Sequence, residues 1–357
     1  MAADRSRAAR VLGLAVAGVL AHRAWRAVAR PRSALTGEVA LITGGSRGLG
    51  LLIARELARE GCSIAICARD EQELARARDD LAARGAHVAA FRCDVTEREQ
   101  VEALVRQVTD RFGRIDILVN NAGIIQVGPL ESMTVRDFEQ AMAVNFWGTV
   151  YTTLAVLPQM RRRRAGRIAN ITSIGGVVAV PHLLPYDASK FAARGFSEGL
   201  RSELAGTGIT VTTIVPGLMR TGSPVNALFK GRAAREYTWF SLGDATPLTA
   251  MSATRAARRI VDAIARGEAE VTLSWQARLL GLIHDLFPGA TTKLLGQVSR
   301  LLPSAEGGTD RNVRGMHLST ALAPSPLTVL MTRAARRNNQ LGGEGAERFA
   351  RGAGAQR

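Results

Sequence analysis

The stretch TGGSRGLG, residues 43–50, decides the fold of this chain of 357 residues. It follows the apolar run VALI and precedes the amphipathic run LLIARELAR, so its glycines stand at a turn from a strand into a helix. Gly44, Gly48 and Gly50 permit a tight turn and let backbone N–H groups approach a pyrophosphate at the helix N-terminus. A glycine-rich turn alone is weak evidence, but a strand before it and a helix after it predict a dinucleotide-binding βαβ unit.

Strand and helix patterns alternate outward from this loop. Between Glu38 and Val215, short apolar runs such as SIAICA alternate with amphipathic runs such as DEQELARARDDLAARG. This alternation predicts right-handed βαβ units and a Rossmann-like, doubly wound parallel sheet in a three-layer α/β/α fold. We assign residues 34–270 to this domain and expect residues 218–250 to form a mobile loop with short helices. Residues 271–357 are expected to form a helical C-terminal extension with a partly disordered tail.

The end of the second predicted strand, ICARDEQ, bears on the choice of dinucleotide. An acidic residue at this place binds the ribose 2′-hydroxyl of NAD, whereas an arginine accommodates the 2′-phosphate of NADP. Ala68 stands at that place, Arg69 follows it, and Arg47 in the glycine loop can approach the same phosphate. We interpret the adjacent Asp70 as the N-cap of the next helix. The sequence therefore favours NADP(H) over NAD(H).

The segment PYDASK, residues 185–190, contains a tyrosine and a lysine at helical spacing. Hydride transfer to a ketone builds negative charge on the carbonyl oxygen, so a proton or hydrogen-bond donor is needed there. Tyr186 and Lys190 share one helix face, and a nearby positive charge lowers the pKa of a tyrosine from about 10. Ser173, at the end of the strand RIANITS, would polarise the same carbonyl. Singly these residues have ordinary structural explanations; with the glycine loop they predict a catalytic site.

Several motifs occur together in one order along the chain. They are TGGSRGLG (43–50), DV (94–95), NNAG (120–123), NFWG (145–148), NITS (170–173), YDASK (186–190) and PGLMRT (216–221). In this set the chain resembles the short-chain dehydrogenase/reductase family, over about Glu38 to Ile264. The segments outside that range loosely resemble the extensions of membrane-associated members that act on lipophilic substrates.

The resemblance implies roles for residues along the crevice. Asp94 would hold the adenine, the NNAG motif would line the cofactor channel, and Asn145 would hold a water or backbone group in a proton path. The predicted cofactor contacts are Gly44, Ser46, Arg47, Gly48, Leu49, Gly50, Arg69, Asp94, Val95, Asn121, Ala122, Gly123, Tyr186, Lys190, Pro216, Gly217 and Thr221. The predicted catalytic residues are Asn145, Ser173, Tyr186 and Lys190, of which Ser173 and Tyr186 also contact the substrate.

Charge and cysteine content bear on partners and compartment. The formal net charge is +16, but the basic residues cluster in separate places rather than in one stripe, so we predict no nucleic-acid partner. The three cysteines fit neither a disulfide framework nor a zinc site, and the five histidines are scattered, so no metal is predicted. A reducing, cytoplasmic compartment is the simplest interpretation.

The first 33 residues differ from the rest of the chain. The apolar run from Val11 to Ala21 has arginines on both sides and is shorter than the roughly 20 residues of a spanning helix. Its continuation places basic residues on one helix face and apolar residues on another, which suits a membrane interface. We predict a short anchor or interfacial helix over residues 1–33; a loosely packed terminal helix is the alternative.

The leading functional hypothesis is an NADP(H)-dependent oxidoreductase that interconverts a carbonyl and an alcohol on a lipophilic small molecule. The apolar residues 242–251 and the apolar helices after Trp275 suggest a lid or a membrane-facing entrance. Those helices could equally well extend the core or form a subunit interface. We expect the protein to form a homo-oligomer. A catalytically idle, cofactor-binding interaction protein at a membrane is the alternative. A nucleic-acid binder would instead show tight, salt-sensitive association.

Overall fold

The computed structural model describes most of the chain from residue 32 to residue 342. The described residues are 18, 32–246, 249–318, 320, 322 and 328–342. The predicted membrane-associated segment 1–33 lies outside them, except for Gly18, Arg32 and Ser33. The end of the predicted tail, residues 343–357, also lies outside them.

The strands of the described residues form three sheets. In chain order they are β1 (Val39–Thr43), β2 (Ser63–Ala68), β3 (Val88–Arg92), β4 (Ile117–Asn120), β5 (Gln126–Val127), β6 (Gly166–Ile171), β7 (Ile209–Val215), β8 (Met219–Arg220), β9 (Leu228–Gly231), β10 (Met251–Ser252), β11 (Glu270–Thr272) and β12 (Thr309–Arg314). The main sheet has seven parallel strands in the order β11-β7-β6-β4-β1-β2-β3. The predicted Rossmann-like, doubly wound α/β fold is confirmed, and the strand order reverses between β1 and β4.

Helices cover both faces of the main sheet. In chain order the α-helices are α1 (Gly48–Arg59), α2 (Glu71–Ala82), α3 (Arg98–Phe112), α4 (Val135–Met142), α5 (Gly148–Arg163), α6 (Leu184–Glu203), α7 (Ala233–Ala245), α8 (Ala253–Arg266), α9 (Trp275–Leu286), α10 (Pro288–Ser299) and α11 (Val329–Arg337). Helices α1, α2 and α8 pack on one face of the sheet, and α3, α5 and α6 pack on the other.

The central strands are apolar throughout because they are buried on both faces. In β1, Ala40 and Ile42 join the core beneath α1 and α8, whereas Val39 and Leu41 join the core beneath α3 and α5. Successive side chains of a strand point to opposite faces, so a strand between two helical layers needs an unbroken apolar run. This explains why VALIT reads as a continuous run rather than as an alternating one.

Residues 218–250 contain more regular structure than the sequence suggests. Strand β9 pairs with β5 and with β12 of the C-terminal extension, and α7 runs for 13 residues. A buried ion pair, with 2.6 Å between Lys230 Nζ and Asp137 Oδ2, fastens this small sheet to α4. The predicted helices are present, but the expectation of a loop is wrong for β9, because pairing with a distant strand leaves no local sequence pattern.

The C-terminal extension consists of two parts. Helices α9 and α10 follow each other directly and expose many large apolar side chains. These are Trp275, Leu279, Leu282, Ile283, Leu286, Phe287, Leu294 and Val298. Helix α11 instead packs back on the catalytic domain, so the tail is ordered at β12 and α11. Within the part of the chain that the structure describes, no helix has both the length and the apolar character needed to cross a membrane.

Candidate active site

The site begins at the C-terminal ends of β1 and β4, where the order of the sheet reverses. The Thr43 hydroxyl oxygen accepts hydrogen bonds from the backbone amides of Asn121 and Ala122, each at 3.0 Å. The Asn121 side-chain amide in turn donates to the carbonyl oxygens of Thr43 (3.0 Å) and Gly44 (3.1 Å). These bonds join the NNAG motif to the glycine loop at the position where doubly wound folds bind nucleotides.

The glycine loop has the geometry that a dinucleotide diphosphate requires. Gly48, the first residue of α1, has φ +57°, a left-handed conformation that favours glycine. A side chain at Gly50 would lie 2.5 Å from Asn121 Nδ2, so only glycine lets the loop fold against β4. The first-turn amides of α1 therefore lie beside bare Cα atoms at the positive end of the helix dipole. The residues present fit an NAD(P) diphosphate.

The residues that follow α11 lie in this same place. The Gly48 amide donates a hydrogen bond to the carbonyl oxygen of Asn338 at 2.8 Å. The Asn339 side-chain amide donates to the Ser46 carbonyl oxygen at 2.8 Å, and Gln340 lies against the open side of Gly48. We call residues 338–341 the C-terminal strap. Sequence analysis missed it, because nothing in the letters NNQL in a Gly/Arg-rich tail indicates where that tail folds.

Both arginines predicted for the 2′-phosphate have acidic neighbours. Arg47 Nη1 lies 2.8 Å from Glu73 Oε1, and Arg69 Nη1 lies 3.7 Å from Asp94 Oδ2. Burial lowers the pKa of Arg47, and the positive charges of Arg314 and Arg69 lower it further. The Glu73 carboxylate acts in the opposite direction and raises this pKa. Glu73 was not among the predicted site residues. It lies in the first turn of α2, whose N-cap is Asp70 as predicted.

The predicted catalytic side chains meet where β6 and β4 end. The Ser173 side chain lies close enough to Tyr186 to lower its pKa, and Lys190 Nζ lies 5.8 Å from the centroid of the Tyr186 ring. Lys190 is buried, and its ammonium group donates to the Ile171 carbonyl oxygen at 3.0 Å. Ser173 is the second residue after β6, and Tyr186 lies in the first turn of α6, directly after Pro185. The tertiary fold thus brings the three together.

Asn145 holds the backbone next to Lys190. It lies in a π-helical segment, Ala143–Trp147, between α4 and α5. Its side chain accepts from the Ile124 amide (2.9 Å) and donates to the Ile124 carbonyl oxygen (3.1 Å) and the Ser189 hydroxyl (2.8 Å). A Cβ at Gly123 would lie 3.0 Å from Asn145 Oδ1 and 3.6 Å from Lys190 Nζ. Asn145 therefore binds a backbone group beside the lysine.

Burial, rather than the lysine, controls the ionisation of Tyr186. Burial raises the pKa of Tyr186 to about 12; its hydrogen bond with Ser173 opposes the rise, and the charges of Asp187 and Asp244 add to it. The same burial lowers the pKa of Lys190 to about 8. Lys190 is not among the groups that shift the pKa of Tyr186, so the expectation that its charge lowers that pKa stays a prediction.

Two buried carboxyl groups near the tyrosine were not predicted. Burial raises the pKa of Asp187 to about 8 and that of Asp244 to about 7. Asp187 Oδ2 accepts from the Val180 amide at 2.6 Å, and Oδ1 has no hydrogen-bond partner among the described residues. Asp244 Oδ2 accepts from the Ser223 hydroxyl at 3.3 Å. Asp187 stands inside the YDASK motif, so its position was visible in the sequence although its burial was not.

The remaining predicted residues lie along the crevice with differing neighbours. The Pro216 carbonyl oxygen accepts from the Ile174 amide at 2.7 Å, and a Cβ at Gly217 would lie 2.6 Å from Ser274 Oγ at the start of α9. Thr221 is buried beside the strap. Leu49 packs against the core, and the Val95 side chain packs against Gly148, so both turn away from the crevice. Only the backbone atoms of Leu49 and Val95 would then contact a cofactor.

Comparison with known proteins gives a separate view of the chain. Residues 38–228 match the short chain dehydrogenase family. A Drosophila melanogaster protein, dehydrogenase/reductase SDR family protein 7-like, is 34% identical over 280 residues, covering 77% of this chain and 84% of the relative.

Solved structures resemble the fold over a similar extent. A short chain dehydrogenase/reductase from Burkholderia phymatum, in complex with NAD, has a TM-score of 0.65 at 26% identity and covers 72% of this chain and 96% of its own. A variant of actinorhodin polyketide ketoreductase with NADPH has a TM-score of 0.58 at 31% identity, covering 66% and 95%. Similar chains thus hold either dinucleotide.

Proposed function

The chain belongs to the short-chain dehydrogenase/reductase family and is an oxidoreductase, and on that premise we propose that it interconverts a carbonyl and an alcohol with NADP(H). Tyr186 serves as the general acid and base. The observation that carries this proposal is the meeting of Tyr186 with Ser173 and Lys190 at the edge of the sheet, beside a loop of diphosphate-binding geometry.

The protonated hydroxyl of Tyr186 can act as the acid in carbonyl reduction. When bound, the dinucleotide supplies the hydride for reduction and accepts it in oxidation. Because the pKa of Tyr186 is about 12, its hydroxyl is protonated at neutral pH and can donate to the carbonyl oxygen as negative charge develops there. The Ser173 hydroxyl gives a second hydrogen bond to that oxygen. In the oxidation direction the phenolate would instead accept the proton of the alcohol.

Lys190 and Asn145 support this proton transfer. With a pKa of about 8, Lys190 is mostly charged at neutral pH, and its ammonium group stabilises the phenolate that remains after transfer. Its bond to the Ile171 carbonyl oxygen fixes the ammonium group beside the ring. Asn145 holds the Ile124 backbone and thereby positions the adjacent turn against Lys190.

The preference for NADP(H) rests on positive charge at the adenosine end of the crevice. Two further arginines, Arg314 and Arg69, lie close enough to Arg47 for their positive charges to lower its pKa. A 2′-phosphate would relieve this repulsion through charge-assisted hydrogen bonds. Glu73 acts against the preference, because it occupies the Arg47 guanidinium at 2.8 Å.

Steady-state kinetics with both dinucleotides test this preference. We expect kcat/KM to be higher with NADPH than with NADH, and Arg69→Ala to reduce the ratio. The matched control is Arg78→Ala, which removes an exposed arginine paired with Asp79 on α2. Equal use of NADH by the wild type would show the preference to be wrong.

We also infer a lipophilic substrate and peripheral contact with a membrane. Tyr186 and Trp239 pack on an apolar cluster that includes Phe229 and Phe240. The N-terminus of α9 adjoins Gly217, so the exposed apolar helices α9 and α10 begin next to the site. An apolar surface leading to the reacting group suits a substrate that partitions into lipid.

A cofactor-consumption screen tests the proposed activity. Purified full-length protein is incubated with NADPH and a panel of steroid, retinoid, fatty-acyl and small aromatic carbonyls, and absorbance of the reduced dinucleotide is followed. We expect consumption with at least one lipophilic carbonyl. An idle cofactor-binding protein would bind NADPH without consuming it under any of these conditions.

A further inference from the structure

The C-terminal strap crosses the nucleotide crevice and is bonded to both of its walls. On one wall, the Gly48 amide donates to the Asn338 carbonyl oxygen at 2.8 Å. On the other wall, the Asn338 side-chain amide donates to the Thr221 carbonyl oxygen at 3.1 Å. The Asn226 side-chain amide also donates to the Gln340 backbone carbonyl and to Gln340 Oε1, both at 2.8 Å. The strap therefore spans the crevice rather than lying along its rim.

The strap uses the two features of the glycine loop that a diphosphate needs. The first is the amide of Gly48, at the N-terminus of α1, which the strap already holds through a carbonyl oxygen. The second is the bare side of Gly48, which Gln340 covers: an ideal Cβ there would lie 2.6 Å from Gln340 Nε2. In dinucleotide-binding loops the second glycine lets the protein backbone approach the pyrophosphate closely. A diphosphate and the strap cannot both occupy this position.

Asn339 fastens the strap to the adenosine side of the crevice. Its side-chain amide donates to the carbonyl oxygens of Ser46 (2.8 Å) and Glu73 (3.0 Å), and its Oδ1 accepts from Arg76 Nε (2.8 Å). Its φ of +55° is a left-handed conformation, which asparagine adopts more readily than most residues. All donor and acceptor atoms of this side chain are therefore directed at the wall of the crevice.

Helix α11 holds the strap in place from its other end. Met331 and Ala335 of α11 and Leu341 after the strap's polar residues form a buried cluster with Val225 and Ala245. The backbone of α11 passes so close to Gly222, at φ +85°, that a Cβ there would overlap Ala335. The strap is thus packed against the loop that carries Thr221, and the contact is specific rather than a loose covering.

We propose that the C-terminal strap is an autoinhibitory element that occupies the diphosphate position and must leave before the dinucleotide binds. This inference rests on the proposed function, since it assigns a regulatory role at the same site. A strap that clamped a bound cofactor would leave the Gly48 amide available, whereas this strap bonds that amide itself. Apparent affinity for the dinucleotide is then reduced by the fraction of molecules whose crevice is closed.

The test compares NADPH binding by the full-length wild type, Asn339→Gly and Thr332→Ala, measured by titration calorimetry. Asn339→Gly removes the side-chain hydrogen bonds to Ser46, Glu73 and Arg76, adds no charge near the phosphates and suits a φ of +55°, so it loosens the strap. Thr332→Ala is the matched control, because its hydroxyl bonds the Thr328 carbonyl oxygen within the region of α11. We expect Asn339→Gly to bind NADPH about fivefold more tightly, as for a crevice open in about one fifth of wild-type molecules, and Thr332→Ala to match the wild type.

Hydrogen exchange of the unmodified chain gives a second readout that needs no variant. We expect the amides of residues 338–341 to exchange faster when NADPH is saturating, because the cofactor displaces the strap. Slower exchange there, or equal or weaker NADPH binding by Asn339→Gly, would overturn the inference. If the wild type consumes NADPH with a carbonyl while these readouts stay unchanged, only the autoinhibitory role is lost. If no variant binds NADPH or NADH, the proposed function fails, and the inference fails with it.

Discussion

The ammonium group of Lys190 lies 5.8 Å from the centroid of the Tyr186 ring while it donates a hydrogen bond to the Ile171 carbonyl oxygen. The two residues are four positions apart on α6, so their side chains lie together. Burial shifts their pKa values in opposite directions. The pKa of the phenol rises to about 12, and that of the amine falls to about 8. At neutral pH the pair is therefore a neutral proton donor beside a mostly charged amine.

Removing the Tyr186 hydroxyl tests its proposed role. We expect Tyr186→Phe to reduce kcat for carbonyl reduction by about 10²–10⁴-fold, the usual range for a lost general acid, while NADPH binding is retained. Tyr151→Phe is the matched control, since Tyr151 stacks on Trp147 and packs on the core beneath α3 and α5. Turnover by Tyr186→Phe at the wild-type rate would rule out the mechanism.

The ionisation of Lys190 predicts a pH limit for reduction. Because its folded-state pKa is about 8, below its usual value, the charged form is present below pH 8 and is lost as pH rises through that value. Tyr186 stays protonated over the same interval, with a pKa of about 12. We expect kcat/KM for reduction to fall above about pH 8, and Lys190→Arg to remove this limb. A profile for the wild type that stays level to pH 10 contradicts the assignment.

The buried carboxyl of Asp244 predicts a loss of stability with rising pH. Its folded-state pKa is raised from 3.8 to about 7, so the folded state binds more protons between these values and the free energy of unfolding falls across that interval. In Asp244→Asn this contribution is absent.

Urea unfolding at pH 4.5 and pH 8 measures this effect. The stability of Asp244→Asn relative to wild type should rise by about 1–4 kcal/mol between the two pH values. Asp285→Asn, at an exposed position of α9, is the control. If the stability relative to wild type changes equally little between the two pH values for both variants, burial does not raise the pKa of Asp244.

The buried Lys230–Asp137 ion pair predicts a large stability effect far from the chemistry. Both side chains are only 4% exposed, so Lys230→Met leaves a buried carboxylate without its cation. We expect the free energy of unfolding to fall by about 3–5 kcal/mol. Arg98→Met, which breaks a pair whose arginine is 70% exposed, should cost no more than about 1 kcal/mol. Similar losses for the two variants would contradict the role of burial.

The exposed face of α9 predicts binding to lipid. Leu282 and Leu286 are 56% and 61% exposed, and replacing both with aspartate should weaken co-flotation of the full-length protein with anionic vesicles. Leu130→Asp is the control, because Leu130 is equally exposed, at 60%, on another part of the surface. Undiminished flotation of the double variant would exclude α9 as the contact.

The parts of the fold that the sequence predicts are those whose signals are local. The run VALIT and the glycines that follow it lie within a dozen residues, and they specify a strand, a turn and a helix that the structure contains. Tyr186 and Lys190 were placed together by helical spacing alone. Residues 228–231 were not recognised as a strand, because β9 is defined by its pairing with β12.

The sequence by itself determined the doubly wound sheet, the glycine loop and the identity of the candidate acid–base residues, because each depends on neighbours a few positions away. Only the tertiary structure decided the ionisation of Tyr186 and Lys190, since burial is set by the packing of distant segments. Only the tertiary structure placed Asn338 on the amide of Gly48. Hydrogen bonds between residues so far apart in the chain leave no periodicity or motif, so they emerge only when the chain is folded.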